Sequence, residues 1–139
     1  MNLQVPVTDN VTELLLKIVK FTRTRREILT QNILNMHRRD FVPKDLDVYA
    51  FCDLLNDAIA GHIQSQRLVL RDTDNIKFGA SGSFEASPII DRYARELLEQ
   101  NKNKYLELQI HRIGENSLNL RIAKELLRQK ESWPLPLGT

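Results

Sequence analysis

The 139 residues make one domain's worth of chain, and no apolar run approaches the ~20 residues of a membrane-spanning helix. Its 20 basic and 18 acidic residues leave a formal charge of +2, which argues against a dedicated nucleic-acid binder with a large basic excess. Five glycines and five prolines favour long helices, and an aromatic content of 6% argues against a large aromatic core.

The opening, MNLQVPVTDN, has no basic region followed by an apolar run, so no signal peptide is visible. Asn10 is a candidate N-cap, with Glu13 three residues on as in a capping box. Val11, Leu14, Leu15 and Ile18 recur at helical spacing, and Ile28, Leu29, Ile33 and Met36 continue the rhythm past a polar stretch from Thr22 to Glu27. This predicts a first helix over about 10–36. Pro43 breaks the pattern within a loop 37–45. A second helix follows over about 46–66, capped by Asp45 or Asp47, with Phe51, Leu54, Leu55, Ala58, Ile59 and Ile63 as its apolar stripe.

Residues 67–87 read as a polar insertion with room for one short hairpin, ending in the small-residue run Gly79 to Ser83. Ser87 and Pro88 then look like a helix start. No proline follows before Pro134, so a last helix is expected over about 88–130, roughly 65 Å at 1.5 Å per residue. It carries two stripes. One is an imperfect heptad of Ala94, Leu97, Asn101, Lys104, Leu108, Glu115, Leu118 and Ile122; beside it lie Leu98, Tyr105, Ile113, Leu120 and Leu127. Two stripes imply neighbours on more than one side. Asn101, polar at a heptad position, is expected to set the alignment of this helix against the first. Gly114 offers a bend, and the tail 131–139 is non-helical.

No catalytic constellation stands out. His37, His62 and His111 lack the spacing of a zinc motif, so no metal or cofactor is expected. Cys52, the one cysteine, sits among apolar residues and reads as a buried structural thiol. Gly79-Ala-Ser-Gly82 meets neither the nucleophile-elbow nor the P-loop pattern, and Asp72-Thr-Asp74 lacks the closing glutamate of a calcium loop. The basic run Arg23, Arg25, Arg26, with Arg38 and Arg39 beyond it, reads as a solvated or partner-facing surface.

The segment 25–48, RREILTQNILNMHRRDFVPKDLDV, resembles the N-terminal signature of flagellar axial proteins, most closely the proximal rod (FlgB) family. In that family an arginine-rich turn leads into I-L-x-x-N-I-x-N, then a loop with an aromatic residue, a basic residue and Asp-hydrophobic-Asp. Arg26, Glu27, Ile28, Leu29, Asn32, Ile33 and Asn35 match the helical part, Phe41 the aromatic position, and Lys44, Asp45, Leu46 and Asp47 the end. In the last helix Leu98, Asn101 and Tyr105 match L-x-x-N-x-x-x-Y, and Leu118 and Ile122 continue the family's apolar positions. Two departures stand out: the family's Pro-Gly loop is replaced by Met36 to Phe41, and Ala94 stands where a glutamate is common.

The resemblance implies a mainly α fold, with long terminal helices packed as an antiparallel coiled-coil-like pair, a shorter middle helix and a small insertion. It implies a non-enzymatic subunit that assembles with copies of itself and other rod and basal-body proteins, after leaving through the flagellar type III export apparatus. It implies no nucleic-acid partner, no membrane insertion and no cofactor. The matching residues Arg26, Ile28, Leu29, Asn32, Ile33, Asn35, Phe41, Asp45, Asp47, Leu98, Asn101, Tyr105, Leu108, Leu118 and Ile122 would serve subunit interfaces, with Asn32 and Asn35 shaping an interface or turn. A standalone helical interaction module and, behind it, a nucleic-acid-binding regulator using Arg23 to Arg39 are the rival readings.

Overall fold

A computed structural model describes residues 5–79 and 84–131. The elements run α1 (Val5–Leu34), β1 (Lys44–Asp45), α2 (Val48–Ser65), β2 (Ile76–Lys77), β3 (Glu85–Ala86), β4 (Ile89–Ile90), α3 (Arg92–Gln100) and α4 (Lys102–Glu131). The fold is mainly α, and its spine is the pairing of the terminal helices α1 and α4, as expected. They run antiparallel: Thr22 meets Asn116, while Asn32, nearer the end of α1, meets Gln109 and Tyr105 nearer the start of α4. The expected non-helical tail lies outside the described residues beyond Glu131, as does most of the Gly79–Ser83 run.

Several boundaries differ from the sequence reading. Asn10 does not open α1. The helix already runs from Val5, and Asn10 instead places Nδ2 3.4 Å from His62 Nδ1 on α2. Glu13 pairs with Lys17 rather than closing a capping box. Asp47 does cap α2, its side chain accepting from the Ala50 N–H, and Gln66 closes that helix in the left-handed conformation.

The expected single last helix is two. Ser87 and Pro88 lead into β4, which pairs antiparallel with β1, and the helix start falls to Asp91, which accepts from Ala94 N–H. Asn101 then divides α3 from α4. Its backbone is extended, its N–H donates to Leu97 C=O, and its side-chain oxygen accepts from Lys104 N–H. One residue thus ends a helix and caps the next. Asn101 is exposed, so it turns the chain instead of setting register against α1. Gly114 passes inside α4, with no neighbour near the place of a Cβ, and marks no break.

The larger core is aromatic, against the compositional expectation. Phe21 of α1, Phe51 of α2 and Phe78 and Phe84 from the insertion form one buried cluster with Leu46 and Ile76. Phe21 and Phe51 stack with centroids 3.9 Å apart, and Phe84 meets both edge-on. The insertion forms the one short hairpin the sequence left room for, Ile76–Lys77 against Glu85–Ala86, yet it is no mere polar excursion: its apolar residues close the core. A second cluster joins Met36, Ala94, Leu98 and Tyr105, and a third joins Val19, Leu120 and Ala123.

Candidate interaction surface

The α1–α4 contact is built on residues three and four apart. On α1 these are Thr22, Arg25, Leu29 and Asn32, with Met36 just past its end; on α4 they are Tyr105 and Gln109 and, seven residues on, Asn116, Leu120 and Ala123; all are buried. That is coiled-coil spacing, with an unusual share of polar side chains at the seam. Asn116 Nδ2 donates to Thr22 C=O at 2.7 Å. Asn32 Nδ2 donates to Lys44 C=O at 2.7 Å and to Gln109 Oε1 at 3.0 Å, while its Oδ1 accepts from Lys44 N–H at 3.1 Å. Asn32 thereby grips the backbone of β1 as a neighbouring strand would. Its own carbonyl, near the C-terminus of α1 where the helix leaves acceptors free, takes the Tyr105 hydroxyl at 2.7 Å.

Between these layers lies an ionic cluster. Arg25 binds Asp45 through Nε at 2.8 Å and Nη2 at 2.9 Å, a bidentate pair with side chains only 10% and 11% exposed. Arg112 of α4 reaches Asp45 at 3.5 Å and also pairs with Asp91, the cap of α3. Two arginines and two aspartates therefore tie α1, β1, α3 and α4 together. Burial, with the nearby Asp91 carboxylate adding to it, pushes the Tyr105 hydroxyl up to about 12. Gln109 Nε2 has no hydrogen-bond partner, the one buried side-chain nitrogen so placed among the described residues.

The residues singled out from the sequence divide cleanly. Leu29, Asn32, Asp45, Leu98 and Tyr105 are buried in this chain's own fold, where they join its own helices and β1. Asp47 caps α2, and Asn101 caps α4. Ile28 packs on the aromatic cluster; Phe41 and Leu108 pack on the Met36–Tyr105 cluster. Ile33 is half-buried, and Asn35 bonds within its own turn to Gln31 and Arg38. Arg26, Leu118 and Ile122 remain exposed and open to a partner. Arg25 of the basic run is withdrawn into its ion pair, leaving Arg23 and Arg26 on the surface.

Sequence reasoning missed Asp91, Gln109, Arg112 and Asn116, and it took Arg25 for a surface charge. For Gln109, Arg112 and Asn116 the available signal was their three-and-four spacing on from Tyr105, and for Arg25 its spacing from Thr22, hidden by counting only apolar residues; Asp91, ahead of α3, offered no such signal. Cys52 is exposed, contrary to the buried thiol expected, and lies beside a surface groove. Among the described residues no histidine, cysteine and carboxylate group could hold a metal ion, and no helix is long and apolar enough to cross a membrane. Compared with known families, curated proteins and solved structures, the chain finds no match in any of the three.

Proposed function

We propose that this chain is a structural subunit of the bacterial flagellar rod, an axial protein that assembles with copies of itself and other rod components through its terminal helices. The observation that carries the reading is convergence. The two segments resembling the proximal rod family lie far apart in sequence, yet Asn32 of the first receives the Tyr105 hydroxyl of the second. Asp45, from the end of the first segment, binds Arg25 at its start. A motif whose parts lock to one another is the kind a fold retains for architecture. An assembly role also accounts for the apolar side chains that α4 leaves in solvent: Ile110, Leu118, Ile122 and Leu126.

The test is export and incorporation. Expressed in a flagellated host, the tagged chain should pass the type III export gate, disappear from the exterior when that gate is deleted, and co-purify with basal bodies. A chain that stays inside gate-competent cells, or never joins basal bodies, would overturn the assignment. The standalone interaction module would then be favoured by the same exposed α4 residues.

A further inference from the structure

The ladder of β1 and β4 has two outer edges, and they are treated differently. Lys44 and Ile90 face each other in it, and Asp91 N–H bonds Pro43 C=O beside them, so the N–H and C=O of both residues turn away from the ladder. On the β1 side the Asn32 side chain takes both groups of Lys44. On the β4 side no described residue takes those of Ile90. Residues 87–90 are all exposed, Ile89 by 38% and Ile90 by 49%. Pro88 withholds a donor two residues earlier, so the edge offers one complete donor–acceptor pair. Beside that pair an open cleft of about 780 Å³ lies between β4, α1 and the loop that follows α1. Val42, Pro88 and Ile90 line it, and Ile28 and Phe41, half-buried against the core clusters, give it their remaining surface. Glu27 and Asp40 line it too, and neither carboxylate forms an ion pair among the described residues. Lys44 is the one cation in the lining, so negative charge is in excess there.

We infer that β4 and this cleft bind an extended, basic segment of a partner protein, which adds to β4 as a third strand. This goes beyond the rod reading and does not depend on it. An extended backbone presents an N–H and a C=O at the spacing that the Ile90 pair requires. Side chains on a strand alternate, so the one that lands beside Ile90 falls on the apolar side of the cleft. A basic side chain in the same segment meets Glu27 and Asp40. A helix would fill the cleft yet leave the Ile90 pair unmet, and an acidic segment would meet unpaired carboxylates.

The probe is the end-capped hexapeptide Val-Thr-Val-Thr-Val-Lys, titrated into the isotope-labelled full chain and followed by nuclear magnetic resonance. A second version ends in glutamate. The lysine peptide should slow exchange of the Ile90 amide proton roughly tenfold or more at saturation. The glutamate version should bind roughly fivefold more weakly, and Glu27→Gln with Asp40→Asn should erase that difference. Asp40 holds φ at 62°, a conformation asparagine shares, so the second change keeps the turn. Ile90→Pro removes the outward donor, leaves the ladder bonds to β1 in place, and should weaken the lysine peptide roughly tenfold. Methylating alternate peptide nitrogens should abolish binding for the set that faces β4 and spare it for the other. No binding by either peptide at about 1 mM would overturn the inference. So would binding that leaves Ile90 unprotected, that treats the two peptides alike, or that ignores which nitrogens are methylated. Ile90 protection that rises with the concentration of the chain alone would give the edge to a second copy and overturn it equally. Export and basal-body incorporation are read separately, so an exported chain that ignores the peptide sinks only this inference, and a chain that binds it but is never exported sinks only the rod reading.

Discussion

Helix α1 is held on its two flanks by opposite means. On one flank Phe21 enters a cluster of four rings from three parts of the chain. On the other, Thr22, Arg25 and Asn32 meet α4 and β1 through directed hydrogen bonds and ion pairs. Ring packing is worth more per side chain but tolerates small shifts; a hydrogen bond contributes about 1 kcal/mol net and is lost on misalignment. The aromatic flank therefore supplies stability, and the polar flank supplies a single register.

Deleting the ring at the centre of the aromatic flank should have the largest effect. Phe51→Ala leaves a cavity beside Phe21, Phe78 and Phe84 and is expected to cost about 3–5 kcal/mol in urea unfolding. A loss under ~1 kcal/mol would show that the cluster is loosely packed.

The ionic cluster comes next. Asp45→Ala removes the shared acceptor of Arg25 and Arg112, leaving Arg25 buried without its carboxylate, and is expected to cost about 3 kcal/mol. High salt should barely change that loss, because the pair is shielded from solvent. A strongly salt-dependent loss would mean the cluster is wetter than its exposure indicates.

Tyr105→Phe removes the bond to the Asn32 carbonyl and should cost about 1–2 kcal/mol. The same hydroxyl gives the parent an alkaline limit. Its folded value, raised to about 12, exceeds the ordinary value near 10 of the unfolded chain. Its contribution is therefore complete below pH ~10 and is lost as pH rises through about 12. Tyr105→Phe should flatten the stability profile in that window; an unchanged slope would assign the alkaline loss to other groups.

The smallest effect is expected at the helix break. Asn101→Ala removes the side-chain cap on Lys104 N–H and should cost about 1 kcal/mol without altering the α1–α4 register. A changed oligomer or register in this variant would return to Asn101 the aligning role that the sequence suggested.

Helix existence was legible because it rests on local periodicity, whereas the antiparallel pairing of the terminal helices was expected from the resemblance and not from periodicity. The Asp47 cap was legible too, since its bond to Ala50 is local. Phe78 and Phe84 were not: they sit among Gly, Ser and Asp, and only long-range packing onto Phe51 makes them core. Asn101 illustrates a different failure. Asparagine at a heptad position is consistent with a register-setting seam residue or a cap, and backbone conformation decides between them. Arg25 looked like surface charge because its partner, Asp45, lies twenty residues away across a loop.

The central claim is that polar seam residues hold α1 and α4 in one register. Spin labels at Thr30→Cys and Glu107→Cys, in a Cys52→Ser background, would report the distance between the helices by pulsed resonance spectroscopy. The parent should give one narrow distance. Replacing Gln109 and Asn116 together with leucine should leave stability near the parent's, because both helices stay packed and the unpartnered Gln109 nitrogen is removed. The distance distribution should nevertheless broaden, with a second population consistent with a slip of one heptad, about 10 Å along the helix. A single narrow distance in the double variant, unchanged from the parent, would contradict the claim.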